Sequence, residues 1–164
     1  MGAAKLTLEL DYDYDFYLLG IRSDLADYRL VYFLNRDLEV RMKRSERDLL
    51  LEGLKGAAPT QYTYFEHEEA DMDRDWFLAS NRGSQLLPSA DEGLFSGQEE
   101  SYRTEYLLPE LKTFDYLLVV HGLLGGHQEE RLQTLVRNVP GVLAIKNVDP
   151  EQLKHRDHLL FLDQ

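Results

Sequence analysis

The chain has no cysteine among its 164 residues. Disulfides and thiolate chemistry are therefore excluded. Long apolar runs are missing as well. The longest, such as Leu117 to Val120, fall far short of the roughly 20 residues that a membrane-spanning helix needs. No apolar stretch of secretory type opens the chain, because Leu6, Leu8 and Leu10 alternate with Thr7 and Glu9, and Asp11 follows. Basic charge is scarce: 18 Lys and Arg face 30 Asp and Glu, a formal net charge of −12. The excess is even along the chain, with 11 basic and 17 acidic groups in residues 1–82 and 7 and 13 in residues 83–164. Phosphate binding needs a basic field, so nucleic acid is disfavoured as a partner. Anionic membrane surfaces are disfavoured for the same reason. These absences predict a cytoplasmic protein.

What is present is an ordinary globular composition, 43% hydrophobic and 29% charged. The length suits a single domain, 1–164, with no repeat or low-complexity linker to divide it. Periodicity predicts a first strand over 5–21, firmest at Phe16 to Ile21, then a helix from Leu25 to Asn35 capped by Asp24. Leu30, Val31, Leu34 and Leu38 form that helix's apolar stripe. Alternation at Leu38, Val40 and Met42 predicts a half-buried strand. Tyr62 to Glu66 and Trp76 to Ala79 read as a hairpin with an acidic loop, Glu68 to Asp75. Residues 83–105, with the glycines and Pro88 between Gly83 and Gly97, read as a mobile loop region. Phe114 to His121 reads as a central strand covered on both faces. Glu129 to Asn138 reads as the clearest helix, with Leu132, Leu135, Val136 and Val139 on one stripe and Pro140-Gly141 as its stop. Val142 to Asn147 follows as a strand, Asp149-Pro150 opens a short turn to Leu153, and Leu159 to Leu162 reads as a terminal strand. The expectation is an α+β fold, a mostly antiparallel sheet with two main helices and a ferredoxin-like rhythm in its β-α-β units.

Few constellations point to chemistry. Asp11, Asp13 and Asp15 alternate with aromatics, so in a strand the three carboxylates share a face and offer hard oxygens to Mg²⁺ or Ca²⁺. Asp71, Asp73 and Asp75 repeat the spacing, but neither set has the glycine or the glutamate of an EF-hand loop. Against a metal, the plainer reading of the first set is a solvated strand end. The five histidines lack zinc spacing, no serine lies in a nucleophile motif, and Gly122 to Gly126 does not fit a dinucleotide fingerprint. No catalytic residue and no cofactor is expected. The basic run Arg41, Lys43, Arg44 and Arg47 reads as a solvated strand end, with an acidic patch or an anion as the alternative.

One stretch carries a likeness. Leu108-Pro109-Glu110-Leu111-Lys112-Thr113-Phe114-Asp115-Tyr116 resembles the motif after which the IPExxxVDY family is named. Pro109, Glu110, Asp115 and Tyr116 match; Leu108 and Phe114 replace an isoleucine and a valine. Asp13 to Phe16 with Leu18 and Gly20-Ile21, and Asp149-Pro150 with Leu153-Lys154 and Leu159 to Phe161, resemble that family's two ends. The resemblance implies a small bacterial protein, typical of Bacteroidetes, of one domain, and it brings no active site with it. Read physically, the motif is a structural device: Pro109 opens a short turn, Asp115 bonds backbone N–H groups, and Tyr116 anchors the sheet.

The functional expectation is a non-enzymatic interaction or scaffold protein, binding a protein partner or itself through an exposed strand or a tyrosine-rich face. The alternatives are a regulatory domain binding a small molecule and, behind it, a divalent-metal-dependent enzyme built on the aspartates.

Overall fold

A computed structural model describes residues 16–53, 57–87 and 101–163, and only the backbone of 160–163. Among the described residues, ten strands form two antiparallel sheets. The larger contains β1 (Phe16–Ser23), β2 (Lys43–Arg44), β5 (Tyr64–Glu69), β6 (Arg74–Ser80), β9 (Tyr116–His121) and β10 (Val142–Val148), in the order β10-β1-β9-β6-β5-β2. The smaller contains β3 (Leu49–Leu51), β4 (Thr60–Tyr62), β7 (Arg82–Leu86) and β8 (Tyr102–Tyr106), in the order β3-β4-β7-β8. Two helices, α1 (Asp27–Leu38) and α2 (Gly126–Arg137), complete an α+β fold.

Continuous apolar strands need cover on both faces, and β1, β6 and β9 receive it. Tyr17, Leu19, Ile21, Leu78, Leu118 and Val120 face the helices, meeting Leu30, Val31 and Leu34 of α1 and Leu132 and Val136 of α2. Leu18, Phe77, Leu117 and Val119 face the other way, onto Leu49 and Tyr62 of the small sheet and Leu107, Leu108 and Leu111. The result is three layers: helices, large sheet, small sheet. Fully burying each such leucine is worth about 1.5–3 kcal/mol, and Leu18, Leu117 and Leu118 are wholly buried.

The closing unit β9-α2-β10 is a split β-α-β. Both strands pair antiparallel with β1, which lies between them. The opening unit differs, because α1 joins β1 to β2 across three intervening strands.

Several expectations are corrected. The first helix begins at Asp27 and is preceded by Ala26, with no side-chain cap, so Asp24 does not cap it. Of the stripe on α2, Leu132 and Val136 are buried and Leu135 is only half-buried. No strand runs over Leu38 to Met42. Val40 and Met42 are buried as the alternation requires, but the Asn35 amide takes the place of a neighbouring strand: it donates to Met42 O and accepts from Met42 N–H, both at 2.9 Å. The acidic loop is shorter than expected, a 3₁₀ turn at Ala70–Met72 with Asp73 left-handed at φ 49°, a conformation aspartate tolerates. The 83–105 loop is strand at both ends, with Gly83 paired to Glu105 and Leu86 to Tyr102; residues 88–100 lie outside the described residues. Leu159 to Leu162 belong to a 3₁₀ helix, Arg156–Asp163, instead of a strand; a short apolar run has too few repeats for period to decide. The part of the first strand before Phe16, with Asp11, Asp13 and Asp15, lies outside the described residues.

Candidate functional site

The motif stretch lies where the two sheets meet, and it is built around Asn81. This residue follows β6 and precedes β7, and it is fully buried. Its N–H donates to Asp115 O at 2.9 Å, and its carbonyl accepts from Leu107 N–H at 2.8 Å. Its side-chain amide donates to Leu111 O at 3.0 Å and Phe114 O at 2.9 Å, and its side-chain oxygen accepts from Leu108 N–H at 2.8 Å. One side chain thus satisfies three backbone groups of the Leu108–Phe114 turn. Buried polar groups need such partners.

The motif residues are held at defined places around this turn. Pro109 opens a 3₁₀ turn, Pro109–Leu111. Leu108 is fully buried. Phe114 lies over Gly20 of β1, where an added Cβ would sit 2.9 Å from the ring, so the bare glycine makes room for it. Asp115 donates its N–H to Ile21 O at 2.9 Å. One of its carboxylate oxygens accepts from Ser23 N–H at 2.9 Å, and the other meets Arg82 Nη2 at 2.9 Å. Tyr116 donates its hydroxyl to Leu25 O at 2.5 Å. Burial first, and then the carboxylates of Asp27 and Asp115, push this phenol up to about 12.

Glu110 reaches the C-terminal segment. It accepts from His155 N–H at 3.0 Å and lies 2.7 Å from His155 Nδ1. Three residues on, His158 Nδ1 donates to Leu107 O at 2.6 Å, and the two imidazole rings lie 5.1 Å apart. The three separated segments that carry the resemblance, at β1, at the motif and after Asp149, therefore meet in space. Partial burial raises the Glu110 carboxyl, but the His155 N–H, its own N–H and the His155 ring outweigh this and hold it below the ordinary glutamate range. A depressed carboxyl contributes stability at neutral pH that is lost as pH falls through its folded value. Urea unfolding curves of the wild type and Glu110→Gln should differ at pH 7 and converge only as pH falls below the ordinary glutamate range and through the lower folded value.

The polar side chains at the matched motif positions, Glu110, Asp115 and Tyr116, are thus engaged within the protein, whereas Lys112 and Thr113 are exposed. Among the described residues no three His, Asp or Glu side chains are placed to hold a metal ion. Asp71, Asp73 and Asp75 are spread over the turn and the start of β6. The glycines at 122 and 125 are turn residues, with φ of 85° and 86°, and Gln128 closes that turn by accepting from Leu124 N–H at 2.8 Å. Among the described residues no helix is long and apolar enough to cross a membrane.

The unengaged surface lies elsewhere, on the outer side of α1. Tyr28 and Tyr32, one turn apart, are 66% and 64% exposed. With Arg29 and Phe33 they line an open depression of about 420 Å³. The Tyr32 and Phe33 rings meet edge to face at 5.3 Å, and the Arg36 guanidinium sits 5.1 Å from the Phe33 ring centre. Stacked in this way, the rings and the guanidinium form a semi-rigid patch. Tyr62 is a core residue 2% exposed, in keeping with the core or interface packing expected for it, but it ends β4 of the small sheet while Tyr64 begins β5 of the large one.

Sequence reasoning finds neither Asn81 nor the tyrosine pair. Asn81 sits in Ser-Asn-Arg-Gly, which reads as turn polarity. Tyr28 and Tyr32 are visible only as two aromatics spaced i, i+4 on the side of α1 away from its apolar stripe. Compared with known proteins, the chain matches no family model, no curated protein and no solved structure.

Proposed function

We propose that this chain is a cytosolic, non-enzymatic interaction domain of the IPExxxVDY type, and that it docks a protein partner through the outer face of α1. The observation that carries this reading is the pair of tyrosines, each about two-thirds exposed, beside a third ring and two arginines. Tyrosine and arginine together are the side chains that dominate binding energy at protein interfaces. It is a contiguous exposed apolar patch, not a single exposed side chain, that marks an interaction surface. The motif supports the same reading from the opposite direction, because Glu110, Asp115 and Tyr116 are engaged by His155, Ser23, Arg82 and Leu25 of the same chain.

The test is affinity capture from native lysate with the wild type and with the double variant Tyr28→Ser/Tyr32→Ser. Both residues are exposed, so the variant should melt within about 1–2 °C of the wild type. It should lose at least 90% of a specifically captured protein, since interface hot spots cost roughly 2 kcal/mol or more each. Undiminished capture by the variant would remove α1 as the docking face.

A further inference from the structure

The C-terminal segment sets two histidines side by side against the motif. Leu153 and Leu159, buried on either side of them in the chain, hold the segment down. His158 N–H donates to His155 O at 3.0 Å. In a 3₁₀ turn residues three apart lie one above the other, so the two rings share a face. Arg156, between them in the chain, reaches Glu151 O. The hydrogen bonds decide where each ring carries its proton. The Leu107 carbonyl can only accept, so the His158 Nδ1 that meets it at 2.6 Å bears hydrogen. The Glu110 carboxyl is held below the ordinary glutamate range and is ionised at neutral pH, so His155 Nδ1, 2.7 Å away, bears hydrogen too. In each neutral imidazole the other nitrogen, Nε2, is then a bare acceptor. Both Nδ1 edges turn to the Leu107–Glu110 stretch, so both Nε2 edges turn away from it. Among the described residues neither Nε2 makes a hydrogen bond, and the His155 side chain is 42% exposed.

We propose that His155 and His158 form a two-histidine site for a divalent transition ion of the zinc, nickel and copper class, held through both Nε2 atoms. The outer partners are those such a site uses. A ligating histidine gives its second N–H to a carboxylate or a backbone carbonyl, which fixes the tautomer and raises the basicity of the ligand. Glu110 and Leu107 O supply one of each. The spacing agrees as well. Two imidazoles that share one ion through Nε2 at about 2.0–2.1 Å, with tetrahedral angles, set their ring centres about 5 Å apart. Here the centres are 5.1 Å apart, with the rings tilted by 39°. Imidazole nitrogen selects such ions over Mg²⁺ and Ca²⁺, which take oxygen ligands. Among the described residues no third ligating side chain joins the pair, so water or a group from outside the chain completes the coordination. Bound there, the ion locks the C-terminal segment in its turn against the motif.

The experiment titrates ¹⁵N-labelled full chain with zinc chloride and follows the imidazole nitrogens by NMR. The expected result is that a single Zn²⁺ per chain shifts the Nε2 resonances of both His155 and His158, while both Nδ1 atoms keep their protons. Magnesium chloride should leave all four resonances in place. Asparagine can set an amide N–H where Nδ1 stood and has nothing at Nε2, so His155→Asn and His158→Asn keep the anchoring bond and lose the ligand. In calorimetry either variant should bind Zn²⁺ at least about tenfold more weakly, since loss of even an outer partner costs roughly 10–100-fold. Melting curves without metal show whether each variant is folded, and if one is not, the wild-type Nε2 shifts decide alone. Unmoved Nε2 resonances overturn the proposal. A shift confined to one of the two rings overturns it too, and so does undiminished Zn²⁺ binding by both folded variants, which places the ion elsewhere on the chain.

Discussion

Replacing Asn81 with alanine should lower the unfolding free energy by about 3–5 kcal/mol, because each buried group left without its hydrogen bond costs roughly 1–3 kcal/mol. Three such groups are exposed at once: Leu108 N–H, Leu111 O and Phe114 O. Leu108 N–H and Leu111 O are buried, and Phe114 O is partly so. In a chain of this size the melting point should fall by roughly 10–15 °C. Asn81→Asp is nearly isosteric and separates packing from bonding. Its carboxylate would face two carbonyl oxygens that now accept from the amide, so it should also be strongly destabilised. Urea and thermal unfolding of the two variants give the answer. A shift below about 2 °C in both would mean that the turn does not depend on Asn81.

The second large effect is expected at Gly83. An added Cβ would lie 2.5 Å from the Tyr62 ring and 2.7 Å from the Gln61 carbonyl oxygen. Neither neighbour yields easily. Tyr62 is 2% exposed within the core between the sheets, and Gln61 O belongs to β4, whose Gln61 pairs with Ser84 of β7. Gly83→Val should cost about 3 kcal/mol or more, at or beyond the usual range for overpacking. The damage should concentrate in the small sheet. Amide exchange should therefore rise at β4, β7 and β8 before it rises at β1 and β9. Exchange rising uniformly through both sheets would contradict a separate small-sheet layer.

Gly83 also shows what a sequence conceals. Glycine with nearby glycines and a proline reads as loop, yet at this position it allows a ring from the next strand to approach the backbone. The difference lies in Tyr62, more than twenty residues away, and no local pattern reports it. The same holds for Val40 and Met42. Their alternation predicts burial correctly, but the strand is replaced by the amide of Asn35, which a period of two cannot reveal. Where a signal is long and local, it is legible. The apolar run of β9, the stripes of Leu30, Val31 and Leu34 and of Leu132 and Val136, the stop at Pro140-Gly141 and the Asp149 turn all follow from spacing and chain stiffness. Asp149 indeed accepts from Glu151 N–H at 3.0 Å. Two local geometries of the motif follow from its chemistry: Pro109 opens the turn and Asp115 accepts from a backbone N–H. Its partners were not legible, because Ser23, Asn81 and His155 come from three distant parts of the chain. The α1 face was hidden for another reason, since a tyrosine off the apolar stripe is equally compatible with plain solvent exposure.

The proposed division of labour, a motif that holds the fold and a helix face that docks a partner, is tested most directly by urea unfolding of Asp115→Ala beside Tyr28→Ser/Tyr32→Ser. Asp115→Ala should lose about 1.5–3 kcal/mol, chiefly from the orphaned Ser23 N–H, with little from the exposed Arg82 pair. The tyrosine double variant should unfold with the wild type, within about 0.5 kcal/mol. An unchanged midpoint for Asp115→Ala, with a lowered one for the tyrosine pair, would reverse the assignment: the carboxylate would be free for a ligand, and α1 would be part of the structural frame.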